Sequence, residues 1–113
     1  MHEYSLVQAL LERVEREARS RSATAVHRLR LRVGELAGVE PALFESAYAM
    51  CREGTVCANA ELVLEPVPVR WACGACGREI ATGSVLSCPA CGAPGRLLAG
   101  DEIVLQTIEM EVA

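Results

Sequence analysis

Residues 73 to 91 read Cys-Gly-Ala-Cys-Gly-Arg-Glu-Ile-Ala-Thr-Gly-Ser-Val-Leu-Ser-Cys-Pro-Ala-Cys, two Cys-x-x-Cys pairs separated by eleven residues. A Cys-x-x-Cys pair folds as a tight turn that aims two thiolates at one point. Gly77 and Gly92 follow the second cysteine of each pair, where backbone N–H groups can approach sulfur. Two such turns facing each other make a tetrahedral S4 site of Cys73, Cys76, Cys88 and Cys91. Four thiolates close the coordination sphere of Zn(II) and leave no position for water or substrate, so the site reads as structural and redox-inert. Three rivals use the same residues. Iron in a rubredoxin-like site would colour the protein. A dithiol redox pair explains two matched pairs less well than one shared ion does. A zinc ribbon that binds nucleic acid or protein is the chief alternative.

Outward from the cysteines, Pro68 and Gly100 bound a segment with too few apolar residues to hold itself together, so it is expected to be unfolded without metal. On its far side Glu102 to Val112 reads as a strand, with Ile103 and Leu105 in one phase and Ile108, Met110 and Val112 in the other. The change of phase near Gln106 and Thr107 predicts a β-bulge. On the near side Glu61 to Glu65 reads as a strand that Pro66 and Pro68 terminate.

Earlier still, His27 to Val33 alternates Arg28, Arg30 and Arg32 with Leu29, Leu31 and Val33, the period-two pattern of a strand with one face buried. Gly34 and Gly38 end that run. Pro41 is placed as the first residue of a helix in which Leu43, Phe44, Ala47, Tyr48 and Cys51 recur at helical steps up to Gly54. A first helix is predicted from Ser5 to about Arg21, with Leu6, Leu10, Val14 and Ala18 on its apolar face and Ser5 and Gln8 spaced as a capping box. Residues 1–4 then form a loose lead-in. The predicted fold is α+β: two helices packed on a three-stranded sheet, with a zinc-ribbon-like lobe inserted before the last strand. The expected domains are 1–67 plus 101–113 for the body and 68–100 for the lobe.

Composition narrows the function. With 113 residues the chain has room for one compact domain and a small module. Four aromatic residues and a net charge of −4 leave neither a stacking surface nor a basic patch for nucleic acid. All 11 basic residues are arginine. Charges throughout the first twenty residues exclude a secretion signal, and no stretch is long and apolar enough to span a membrane. The expected compartment is the reducing cytoplasm, where cysteines are metal ligands or buried thiols. Cys51 reads as a small buried hydrophobe and Cys57 is undecided. His27 has no second ligand at a metal-binding interval. No Ser/His/Asp or Cys/His arrangement and no phosphate-binding glycine loop is present, so an enzyme is not expected.

Met1-His2-Glu3 gains chemical meaning if the terminal amine is free. His2 can then offer its imidazole, its own amide nitrogen and the α-amine of Met1 to one ion in fused planar rings. Such a nitrogen set suits Ni(II) or Cu(II), and Zn(II) gains less from it. Protons compete for these nitrogens, so nickel affinity is expected to fall as the pH drops from neutral towards about 6.

The combination of Met1-His2-Glu3, Val33-Gly34-Glu35-Leu36, Gly38-Val39-Glu40-Pro41 and the paired cysteine motifs resembles the HypA/HybF family of hydrogenase nickel-incorporation proteins over essentially the full length. The resemblance implies a nickel site at Met1, His2 and Glu3, with Glu3 acting through its amide or carboxylate, and a structural zinc on Cys73, Cys76, Cys88 and Cys91. It implies nickel as transferred cargo, the GTPase HypB and the hydrogenase large subunit as partners, and service to urease in some members. Monomer and domain-swapped dimer both remain open.

Overall fold

The computed structural model describes residues 2–81 and 87–112; Met1, Ala113 and part of the loop between the cysteine pairs lie outside them. Helix α1 spans His2–Ser20 and buries Val7, Leu10, Leu11, Val14 and Ala18. It starts three residues before the expected position, which corrects the loose lead-in. The stripe Val7, Leu11, Val14, Ala18 extends back at helical spacing to Tyr4, which packs against the core. Glu3 stands in the first turn, where the helix dipole favours a negative charge. Ser5 therefore lies inside the helix rather than at its N-cap.

Strand β1, Ala23–Gly34, is longer than the His27–Val33 run because its first residues are bulged. The pairing skips Thr24 and then His27, which breaks the alternation that a sequence reading follows. Helix α2, Pro41–Cys51, begins on its proline as expected and buries Phe44, Ala47 and Tyr48. Strand β2, Glu61–Val67, runs through Pro66 rather than stopping there. It lies at the edge of the sheet, parallel to β1, where a missing N–H can face away from the ladder.

Strand β6, Ile103–Val112, pairs antiparallel with the other side of β1, giving the order β2-β1-β6. Arg30 faces Thr107 and Leu31 faces Leu105, so Gln106 is the extra residue of the predicted bulge. The face with Leu29, Leu31 and Val33 meets the helices, and no buried polar or charged residue occurs among the described residues. On the opposite face Arg28 pairs with Glu61 at 3.2 Å and Glu109 at 3.1 Å, and Arg30 with Glu65. Exposed pairs of this kind add little stability.

Three short strands that the sequence reading did not resolve form a second sheet: β3 Arg70–Cys73, β4 Glu79–Ile80 and β5 Gly95–Ala99, in the order β4-β3-β5. Its principal contacts are internal. The molecule measures 56 × 29 × 16 Å with a radius of gyration of 18.0 Å. A compact chain of this length would have about 13 Å, so the small sheet stands off the larger one as a lobe. No described helix is long and apolar enough to cross a membrane.

Candidate metal centres

The cysteine site is assembled by two matching turns. In the first, Gly77 N–H donates to Cys73 O at 3.0 Å; in the second, Gly92 N–H donates to Cys88 O at 2.7 Å. Both glycines have positive φ, 77° and 75°, which the turn requires and a side chain would resist. Their N–H groups thus close the turns on carbonyl oxygen, which corrects the expectation that they approach sulfur. Sulfur is approached instead by the amides of Ala75 and Cys76, each 3.3 Å from Cys73 Sγ.

The four Sγ atoms lie within 4.8 Å of one another. Cys73 Sγ is 3.4 Å from Cys91 Sγ and Cys76 Sγ is 3.8 Å from Cys88 Sγ. A Zn–S bond of about 2.3 Å gives a tetrahedron with edges of about 3.8 Å, so the spacing fits the ion, whereas a disulfide needs about 2.05 Å. Cys73 and Cys88 are buried while Cys76 and Cys91 are exposed.

The electrostatics also call for a cation. The Cys76 and Ala75 amides pull the Cys73 thiol down to about 6, and the Cys91 and Ala90 amides lower Cys88. Cys91 receives help from the Ala93 amide, but its thiol neighbours Cys73 and Cys88 outweigh it and push Cys91 up to about 11. Cys73 and Cys88 are thus drawn towards the thiolate while Cys91 is held back beside them, and a divalent cation would remove that conflict. The other two cysteines play no part. Cys57 is sealed in the body core and pushed up to about 11 by burial. Cys51 is half-buried rather than fully enclosed, and its proximity raises the Tyr4 phenol above its usual range.

Near the start of the chain, Met1 lies outside the described residues and His2 is exposed at the beginning of α1. The amide of His2 has no acceptor within the helix, as holds for the first residues of any α-helix. Glu3 is engaged: its Oε2 accepts the Glu40 N–H at 3.2 Å. That bond, with one from its own amide, holds the Glu3 carboxyl below its usual range. Sequence reasoning missed this tie, since nothing in the spacing of Glu3 and Glu40 announces it. His27 sits apart, 3.6 Å from Glu111 on the exposed sheet face.

Comparison with known proteins gives the matching family as hydrogenase/urease nickel incorporation metallochaperone, HypA, over residues 1–110. The chain belongs to the HypA family. It is 44% identical over 114 aligned positions to the hydrogenase maturation factor HypA of Wolinella succinogenes, covering 98% of this chain and 96% of that one. The corresponding factor of Aquifex aeolicus is 38% identical, with 99% of each chain covered. The fold is similar to the solution structure of the Ni metallochaperone HypA from Helicobacter pylori, with a TM-score of 0.74, 27% identity and 98% of each chain covered. A second HypA solution structure has a TM-score of 0.80 at 29% identity, covering 97% of this chain and 96% of that one. Membership in the HypA family makes this chain a nickel metallochaperone of hydrogenase maturation, and the four cysteines are its evident metal-binding cluster.

Proposed function

We propose that the chain captures Ni(II) with the Met1 amine and the imidazole and amide of His2, and surrenders it when a partner supplies competing ligands. The observation that carries this reading is the position of His2 on the first turn of α1, exposed and with its amide outside the helical ladder. Glu3 enters through its amide in this scheme, because its carboxylate already accepts the Glu40 N–H. A planar nitrogen set favours nickel over zinc, while the four thiolates favour zinc, so the two ions sort themselves by donor chemistry.

In the same reading, residues 68–100 are a structural zinc domain and residues 1–67 plus 101–113 the nickel-binding body. The closed S4 cluster offers no catalytic position, so the chain carries metal and does not turn over a substrate. HypB and the hydrogenase large subunit are the partners the family relationship suggests, in the cytoplasm. The outer sheet face, with its Arg/Glu pairs, offers no continuous positive surface for nucleic acid.

The test is a nickel titration of untagged, zinc-loaded protein beginning at Met1, followed by heat and visible absorption. One nickel per chain with a planar-type band is expected, lost in His2→Ala while zinc content and fold persist. Equal, weak binding by both proteins would remove the N-terminal site and leave the zinc-ribbon adaptor as the reading to pursue.

A further inference from the structure

Val33-Gly34-Glu35-Leu36 supplies no metal ligand, yet here the body grips both stretches of chain that join it to the lobe. Gly34 N–H donates to Glu102 O at 2.9 Å, Leu36 N–H to Gly100 O at 2.6 Å and Glu35 N–H to Val67 O at 3.0 Å. Glu35 Oε1 accepts the Val69 N–H at 2.8 Å. The outgoing linker is therefore held at Val67 and Val69, and the returning one at Gly100 and Glu102. The crossing leaves no room for side chains. A Cβ on Gly34 would lie 2.2 Å from the carbonyl carbon and oxygen of Gly100, and one on Gly100, at φ 103°, would lie 2.8 Å from Val69 Cα. Three of these four bonds are backbone to backbone. The Glu35 carboxylate is the side-chain part of the grip, and so the part that a substitution or a partner can release.

The segment then turns back, Ala37 N–H donating to Gly34 O at 3.0 Å, and passes Gly38 with its positive φ of 75°. At its far end Glu40 N–H donates to Glu3 Oε2, in the helix turn that holds His2. Glu40 O accepts the Phe44 N–H at 2.9 Å, which fixes that end to α2. Residues 35–40 thus form a strap tied at one end to the lobe linkers and at the other to the first turn of α1. Six residues reach at most about 20 Å, and this strap is folded on itself, so little slack is left when both ends are held.

We propose that Glu35 is a positioning residue: by holding Val69 it locks the lobe to the body, and through the strap it fixes the orientation of the lobe relative to the turn that carries His2. The first half stands on the fold alone, and the second rests on the nickel reading given above. A swing of the lobe must either break the Val69–Glu35 bond or pull on Glu40 and hence on Glu3. An exposed charge-assisted hydrogen bond is strong enough to bias the orientation and weak enough to open.

The experiment uses the full, zinc-loaded chain, labelled with 15N, as wild type, Glu35→Ala and Glu35→Gln. Residual dipolar couplings of the body and lobe amides are measured, and each protein is titrated with nickel. In wild type one alignment tensor should fit both parts. Glu35→Ala should require two, with nickel affinity weakened about fivefold. Glu35→Gln keeps a carbonyl oxygen as acceptor and should return both properties to within about twofold of wild type. If Glu35→Ala does not fold, Glu35→Asp, one methylene short, carries the same expectation. A variant lobe that still shares the tensor of the body overturns the lock. A freed lobe with unchanged nickel affinity overturns the transmission. If wild type takes up no nickel through His2, the functional reading and the transmission fall together, while the couplings still decide the lock.

Discussion

The body and the lobe are held together by different physics. The body packs Val7, Leu11, Val14, Leu29, Leu31, Phe44 and their neighbours into one apolar core between two helices and a three-stranded sheet. In the lobe, the buried hydrophobic residues among those described are Ala72, Cys73, Ile80 and Cys88, two of them members of the cysteine cluster. A side chain such as Leu or Phe contributes about 1.5–3 kcal/mol when fully buried, so the body accumulates enough to offset its backbone entropy. The lobe does not, and a metal on its four cysteines is the remaining source of stability in our proposal. In that reading one chain contains a part that folds by excluding water and a part that folds by binding an ion.

The largest effect expected is on the lobe. Removing the metal with a chelator, or Cys88→Ser, should abolish the β4-β3-β5 sheet, since a structural zinc supplies about 10–16 kcal/mol. The body amides in an NMR spectrum should keep their positions. Loss of the body signals as well would show that the two parts are one cooperative unit. Next in size, Phe44→Ala, at a residue 1% exposed, should cost the body about 3–5 kcal/mol in denaturant unfolding, with zinc content per folded chain unchanged.

The two parts should also fail at opposite ends of the pH scale. In the body, burial pushes Cys57 up to about 11 and Tyr48 up to about 12. Both thiol and phenol are held neutral in the fold and ionise more readily when unfolded. Their contribution is therefore complete below their ordinary values and is lost as pH rises from about 9 towards 12, by about 1–3 kcal/mol. In the lobe, protons compete with a bound metal for the thiolates, so zinc held there should be lost on acidification. Thermal melts and zinc release measured across pH would separate the two, and a body that melts at the same temperature at pH 7 and pH 11 would contradict the first. The smallest effect is Tyr48→Phe, which removes the hydroxyl that donates to Ala60 O at 2.8 Å. It should destabilise the body by about 1–2 kcal/mol and leave the lobe untouched.

These differences were not equally legible. The Arg/Leu alternation of residues 28–33 declared a half-buried strand because period two has no other common cause. Pro41 marked the start of α2, and the phase change at Gln106 marked a bulge that the pairing confirms. The beginning of β1 escaped because its bulges at Thr24 and His27 destroy the alternation. The start of α1 was placed late because Ser5 looked like a cap, although Tyr4 already continued the apolar stripe. The lobe strands escaped because a four-residue strand and a two-residue strand, Arg70–Cys73 and Glu79–Ile80, carry too little pattern to detect.

For the candidate sites the divide is the same. Local spacing was enough to expect that each cysteine pair is gathered by its own turn and that the two turns share one site, and the four Sγ atoms do lie within 4.8 Å of one another. Only the tertiary structure decided that Glu3 bonds Glu40, that Glu35 reaches Val69 and that Gly34 lies against Gly100. Those contacts join residues more than thirty positions apart, and a sequence read in windows carries no trace of distances that are set by how the finished elements pack.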